Sequence, residues 1–242
     1  MSNIAPDLWR FYASLSRLEK DTNQGARLQR LSEIENLPTR GVYFFREVGE
    51  TTSSGQPRVT RVGTHAVSVG SKSTLRGRLA AHRGTKSGSG NHRGSIFRLH
   101  VGMALRNRDG LELPHWGNGS TMPAALRTCP AALLAEAEHE QRVSKVIGNM
   151  SLLWVNVDDE PGPESLRSYI ERNAIALLSN RCAPIEAGSG EWLGVHSVRE
   201  KIRACRLWNL KYIDDGYDPA FLDELDRAID RTCEPPMLHC GR

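Results

Sequence analysis

The chain has 242 residues, 39% of them hydrophobic and 25% charged, with a formal charge of +4 and a pI near 8.9. These proportions exclude a largely disordered or fibrous protein, and the length suffices for a sizeable hydrophobic core without disulfides or structural metals. The five cysteines are odd in number and contain no CxxC pair, which argues against a disulfide framework or a zinc knuckle and fits a reducing, cytoplasmic setting. The first ten residues carry no apolar run of signal-peptide length, and no stretch approaches the ~18 apolar residues of a membrane span, so no membrane partner is expected.

In chain order, Asp7 to about Ile34 reads as helix, because Leu8, Phe11, Leu15 and Leu18 recur at three- and four-residue steps. Gly41 to Arg46 is a short β-branched and aromatic run. A turn rich in Gly, Ser and Thr separates it from a second run, Arg58 to Gly63, which predicts a hairpin with a long connection. Thr74 to His82 reads as a helix, with a serine available as its cap and Leu75 and Leu79 one turn apart. Ser95 to Val101 alternates as a strand would, and 106–129 looks irregular. Pro130 to Ile147 reads as a helix with proline in its first turn, Ser151 to Val157 as a buried strand, 163–180 as another helix, and Pro219 to Thr232 as a final one.

Charge is distributed unevenly. Between Arg58 and Arg108 lie eleven Arg or Lys residues and no acid, a run that favours a polyanionic partner. Cleaving a phosphodiester needs a nucleophile, positive charge where negative charge accumulates, and usually a divalent cation on an oxygen ligand. Helical geometry, at about 100° per residue, puts Arg78 and His82 one turn apart at the border of an apolar face, where both can reach one phosphate. An arbitrary Arg/His pair in that position is more often a snorkelling arginine and a satisfied core histidine. On the helix of 163–180, Ser165, Ser168, Arg172 and Ser179 gather on what reads as the wet face, whereas Glu171 projects between Ile175 and Leu178. A carboxylate on an apolar arc needs either an arginine partner or a metal.

Gly41-Val42-Tyr43 resembles the first motif of the GIY-YIG nuclease family, and Arg61-Val62-Gly63 sits where the second belongs. Leu75 to His82 is similar to the following helix, in which a catalytic Arg precedes a His by four residues. Tyr169 to Leu178 resembles the helix bearing the single metal-binding Glu. The resemblance implies an α+β fold with a small three-stranded antiparallel sheet flanked by helices, the third strand being that near Ser151 to Val157 or that near Ser95 to Val101. The implied organisation is an N-terminal helical extension over 1–37, a nuclease core over 38–185 with an insertion at about 105–147, and a C-terminal extension over 186–242.

The resemblance also implies a divalent-metal-dependent endonuclease acting on DNA, expected to be double-stranded and with RNA as an alternative, in restriction or phage defence. Tyr43, Arg78, His82 and Glu171 would be catalytic, with Glu171 holding Mg²⁺ (or Mn²⁺). A phenol is normally protonated at neutral pH, so Tyr43 would act as a base only beside cations or a metal. Its bland alternative is a strand aromatic packed on the sheet. Nucleic-acid contacts are expected from Arg61, His65, Lys86, His92 and Arg93, and auxiliary roles from Thr64 and Asn180. Arg61 stands where the family usually shows a tyrosine, and Thr64 or His65 are candidates for the vacant polar position. The alternative function is a non-cleaving nucleic-acid-binding or assembly protein with a degenerate GIY-YIG fold.

Three further patterns read as structural. Glu136-x-x-His139 lacks the second copy a dimetal site needs, and Cys233, His239 and Cys240 fit no closed zinc set. Trp192 and Trp208 read as anchors of the C-terminal part, with base stacking or partner binding as the minority reading.

Overall fold

The computed structural model describes residues 4–117, 121–179, 181, 186 and 188–234. Strands β1 (Gly41–Thr51), β2 (Pro57–Gly63) and β3 (Ser151–Asn156) pair antiparallel in the order β2-β1-β3. The helices are α1 (Ile4–Thr22), α2 (Leu75–Arg83), α3 (Ile96–Asp109), α4 (Ala124–Arg127), α5 (Pro130–Gly148), α6 (Leu166–Leu178), α7 (Glu200–Cys205) and α8 (Phe221–Cys233). No helix among the described residues is long and apolar enough to cross a membrane.

The central strand has both faces covered, which is why its first residues are apolar without alternation. Val42 and Phe44 join Leu153 and Val155 in a core closed by α1, α6 and α8. Tyr43 and Phe45 join Leu152 and Trp154 in a second core, closed by α2, α3 and α5. A register shift in the β1–β2 ladder, with Phe45 opposite Arg61 but Arg46 opposite Val59, lets Val59 and Val62 both enter the first core. The same bulge turns Arg61 toward the second, where its guanidinium lies 4.6 Å from the Phe97 ring.

Both sheet edges are closed by a side-chain amide that imitates a strand residue. On β3, Trp154 donates its N–H to Gln24 Oε1 at 2.7 Å and its carbonyl accepts Gln24 Nε2 at 3.1 Å. On β2, Asn209 makes the equivalent pair with Val62 at 3.2 and 2.9 Å, and Trp208 N–H donates to the Thr60 carbonyl. An open ladder that would otherwise recruit another chain is satisfied within this one.

Three expectations need correction. The segment read as strand, Ser95 to Val101, is the start of α3: Ser95 caps it by accepting the Arg98 N–H, and Phe97, Val101 and Leu105 follow at helical spacing. The third strand is therefore β3. The helix expected to run to Ile34 stops at Thr22, where Asn23 and Gly25 take positive φ (54° and 98°) and turn the chain onto the β3 edge before a 3-10 turn at Leu28–Glu33. The serine face of α6 is not wet: Ser168 and Ser179 are buried, and Ser179 Oγ donates to the Ile213 carbonyl of the C-terminal part folded over it.

Candidate active site

Tyr43 pairs in register with Gly63 at the end of β2. A Cβ at position 63 would lie 2.2 Å from the Tyr43 hydroxyl, so glycine leaves the space that the phenol occupies. Thr74, rather than a serine, caps α2 by accepting the Gly77 N–H, and the helix carries His82 into its last turn. There His82 Nε2 lies 2.8 Å from Tyr43 Oη and Nδ1 lies 2.9 Å from Ser95 Oγ. Tyr43 and His82 are both 0% exposed. Arg98, buried beneath, donates to the carbonyls of His82 and Arg83 at 2.9 and 3.2 Å and fixes the end of α2.

Glu171 arrives from the opposite layer. Ser165 caps α6 by accepting the Ser168 N–H, and the helix buries Ile170, Ala174 and Ile175 while Glu171 stays half-buried at its rim. Glu171 Oε1 accepts the Thr64 N–H at 3.1 Å, and Thr64 Oγ1 donates to the Gly41 carbonyl at 2.8 Å. The residue after β2 thereby ties Glu171 to the start of the strand that carries Tyr43.

Two arginines influence both His82 and Glu171. Burial, reinforced by the positive charges of Arg61, Arg78 and Arg98, holds the His82 pKa well below the usual histidine value. Burial raises the Glu171 carboxyl above the ordinary range, against the opposing pull of Arg61, the Thr64 N–H, Arg78 and Lys211. Arg61 and Arg78 thus act on the histidine and on the carboxylate at once; Tyr43 and His82 are joined by a hydrogen bond, and Glu171 is linked to the start of the Tyr43 strand through Thr64. Nε of each arginine is buried without a hydrogen-bond partner among the described residues, although Arg61 Nη1 donates to the Trp208 carbonyl at 3.0 Å.

His65 borders the same cluster. Its Nε2 faces the Thr39 carbonyl at 3.2 Å, and because a carbonyl only accepts, Nε2 carries the proton. Its Nδ1 is buried and unpartnered, and burial together with Arg167, Arg78 and Arg40 lowers its pKa to about 4.

Other expected contacts lie elsewhere. His92 is buried: its Nδ1 lies 2.8 Å from Glu140 Oε1 and its ring stacks on Trp116 at 3.8 Å. Arg93 is held bidentately by Glu136. Both are held by carboxylates of α5, His92 through a hydrogen bond to Glu140 and Arg93 through an ion pair with Glu136, which corrects their assignment as nucleic-acid contacts and explains the acid of Glu136-x-x-His139. Lys86 is exposed in the turn closed by Thr85 and Ser89, without a link to the cluster. Of the basic run, Arg58, Arg93, Arg98 and Arg108 pair with Glu50, Glu136, Glu140 and Asp109, so much of that charge is internal. Asn180, His239 and Cys240 lie outside the described residues. Trp192 and Trp208 both donate to Glu47 Oε1, at 2.8 and 2.6 Å, and are buried anchors.

Sequence reasoning missed Ser95 and Lys211. Ser95 was legible as a helix cap before Phe97, Val101 and Leu105, whereas Lys211 depends on the C-terminal part folding back along β2 and carries no local signal.

The residues fit a single hard cation. Among the described residues Glu171 forms no ion pair with an arginine, and its one side-chain hydrogen bond is that of Oε1 to the Thr64 N–H. A carboxylate held above its ordinary pKa by burial gains from a bound cation what water no longer supplies. No group of three or more His, Cys, Asp or Glu side chains gathers as a ligand set among the described residues, so a cation here would rely on Glu171 together with water and substrate oxygens.

The three-stranded antiparallel sheet flanked by helices is an α+β fold of the GIY-YIG kind. A sequence profile of the GIY-YIG domain matches residues 2–235, and the chain belongs to the GIY-YIG family, whose members are endonucleases and generally depend on divalent metals. Searches of curated proteins and of solved structures returned no match.

Proposed function

We propose that the protein is an endonuclease that hydrolyses DNA phosphodiester bonds with a divalent cation, Mg²⁺ or Mn²⁺, at Glu171. The observation that carries this reading is that Arg61 Nε and Arg78 Nε are buried without hydrogen-bond partners among the described residues. A scissile phosphate supplies the acceptors those donors lack.

In this mechanism Tyr43 reacts as the phenolate, its own proton having passed to solvent beforehand; Oη takes the proton of the attacking water, the new P–O bond forms on the far side of the leaving oxygen, and that oxygen is protonated from solvent as its bond to phosphorus breaks. Arg78 and Arg61 donate to the phosphoryl oxygens as charge develops on them. Arg61 thus replaces the motif's second phenol with a cation. Glu171 would hold the divalent cation, which would supply further positive charge to the phosphate. His65, with its lone pair facing inward, accepts from the water or from a sugar hydroxyl.

The test is nicking of supercoiled plasmid by the purified protein with Mg²⁺. Glu171→Ala and Tyr43→Phe should lose nicking while retaining DNA binding, and unchanged cutting in both variants would sink the reading. Single- and double-stranded RNA offered beside DNA decides the substrate class. One observation favours a second reading, a protein of this fold that binds nucleic acid without cutting: Tyr43 has no solvent exposure in the free protein. DNA binding without nicking by the wild type under any of Mg²⁺, Mn²⁺ or Co²⁺ would select that reading.

A further inference from the structure

Arg167 lies one turn before Glu171 on α6, and its side chain is fully buried. Its Nη1 donates to the His65 carbonyl at 2.8 Å, Nε pairs with Asp159 Oδ1, and Nη2 reaches the Asp159 and Glu160 carbonyls, each at 3.4 Å. Asp159 Oδ2 also accepts the Arg167 backbone N–H at 3.2 Å, so one carboxylate aims the guanidinium from both ends of the residue. A buried arginine needs a counter-charge, and Asp159 supplies it. The bond to His65 goes further, because it reaches across to the segment that follows β2.

Helix α6 grips that segment at two successive residues. Arg167 donates to the His65 carbonyl, and four positions on, Glu171 Oε1 accepts the Thr64 N–H at 3.1 Å. From the other side, Thr64 Oγ1 donates to the Gly41 carbonyl at 2.8 Å and His65 Nε2 to the Thr39 carbonyl at 3.2 Å. Ala66, next in the chain, has φ of 54°, a left-handed conformation that is unfavourable for a residue with a Cβ and persists only where its surroundings over-determine the backbone. The carbonyl that Arg167 holds belongs to the peptide joining His65 to Ala66, and the orientation of that peptide sets this φ. Released from Arg167, the peptide can rotate to relieve Ala66, and the Thr64 N–H turns away from the carboxylate with it.

We infer that Arg167 is a positioning residue for Glu171: by holding the His65 carbonyl it keeps the Thr64 N–H against Oε1 and locks the carboxylate in the orientation that takes the cation. The inference rests on Glu171 being the residue that holds the metal. With one protein carboxylate as ligand and water and substrate oxygens for the rest, the direction of that single side chain sets how well the ion is held. The Thr64 N–H is the one hydrogen-bond partner that fixes this direction among the described residues.

The test reads amide hydrogen exchange of the full-length protein, without DNA or metal, beside the Mg²⁺ dependence of nicking. In the wild type the Thr64 amide should be protected although it lies beyond the end of β2. Arg167→Met should lose that protection while Phe44 and Leu153 in the sheet keep theirs. The Mg²⁺ concentration for half-maximal nicking should rise by ~10–100-fold with KM for DNA little changed, a split that general loosening of the fold would not produce. A freely exchanging Thr64 amide in the wild type overturns the inference, as does full protection in Arg167→Met or an unchanged Mg²⁺ requirement in an active Arg167→Met enzyme. If Arg167→Met does not fold, Asp159→Asn decides, since it weakens the anchor of the guanidinium at a partly exposed side chain: loss of Thr64 protection upholds the inference and unchanged protection overturns it. Because exchange needs no activity, Thr64 protection that depends on Arg167 in a protein that never nicks plasmid upholds the positioning of Glu171 while the nuclease reading falls.

Discussion

The two faces of the sheet are made from alternate residues of the same strands, yet they are closed in opposite ways. Toward α1, α6 and α8, hydrocarbon meets hydrocarbon: Phe44 packs edge-on against Phe11 at 5.8 Å, and polar groups at the margin find ions, Arg46 with Glu19 and Arg10 with Asp223 and Asp226. Toward α2, α3 and α5, the core includes Tyr43, His82, Ser95, Arg98 and His100. Among the described residues, eight buried side-chain nitrogens lack partners, and seven of them belong to Arg61, His65, Arg78, Arg93, His100 and His139. Local rules are obeyed where the molecule needs stability and relaxed where a ligand would complete them. Substitutions on the two faces should therefore separate stability from activity.

The largest separation is expected at Gly63. Alanine there would set a Cβ 2.2 Å from Tyr43 Oη, so the phenol must swing out of line with His82. Nicking should fall by ~10²–10⁴-fold, the range associated with losing a general base, while the unfolding midpoint moves far less. A Gly63→Ala enzyme with near-normal nicking would show that the Tyr43 position is not catalytic. The opposite signature belongs to Phe44→Ala, which empties a fully buried position in the apolar core and should reduce stability by about 3–5 kcal/mol, measured by urea denaturation. Activity per folded molecule should stay close to wild type; a large kcat loss in fully folded Phe44→Ala would erase the distinction between the faces.

Acid should expose the polar face. His82, His65 and His100 are buried with lowered pKa values, the last two to about 4, in each case chiefly through burial. A histidine whose folded pKa lies below its unfolded value binds its proton less tightly when folded, so its contribution is intact above the unfolded pKa and is lost as pH falls below it. Stability should decline from about pH 6.5 toward pH 4 by up to ~1.4 kcal/mol per pH unit for each histidine that protonates on unfolding. Replacing His100, whose two ring nitrogens have no partner among the described residues, with Gln should flatten that decline by one proton. An unchanged slope would mean that His100 is already charged in the folded state.

The contrast between the faces also explains what the sequence could reveal. Tyr43, Arg78, His82 and Glu171 were legible as candidates because each sits in a short motif on an element with clear periodicity, and the structure joins two of them, Tyr43 and His82, by a hydrogen bond. Arg61 was legible as a departure from its motif, but not the bulge that aims it, since a bulge depends on which residue lies opposite. The basic run from Arg58 to Arg108 promised an anionic surface, yet Arg93 and Arg98 turn inward onto Glu136 and Glu140 of α5, acids some forty residues away that no local pattern couples to them. Ser95 was misplaced for a related reason: Ser95 to Val101 alternates well enough for a strand, and only the spacing of Phe97, Val101 and Leu105 arbitrates for helix.

The smallest effect should lie at the boundary between the faces, in Glu171. Its carboxyl is held above the ordinary range, first by burial, with Arg61, the Thr64 N–H, Arg78 and Lys211 only partly offsetting that penalty. An acid whose folded pKa exceeds its unfolded one binds its proton more tightly when folded, so the fold gains from it as pH falls toward the folded value and loses as pH rises through it. At neutral pH the ionised side chain is therefore a net strain on the metal-free protein. Glu171→Gln keeps the shape and an oxygen for the Thr64 N–H, so it should raise the melting temperature at pH 7 or 8 by a few degrees and by less at pH 5, while nicking disappears. Adding Mg²⁺ should narrow the gap by stabilising the wild type alone, through binding to the folded state. If Glu171→Gln melts below the wild type without metal, the carboxylate is already satisfied inside the protein, and a cation would have little reason to bind there.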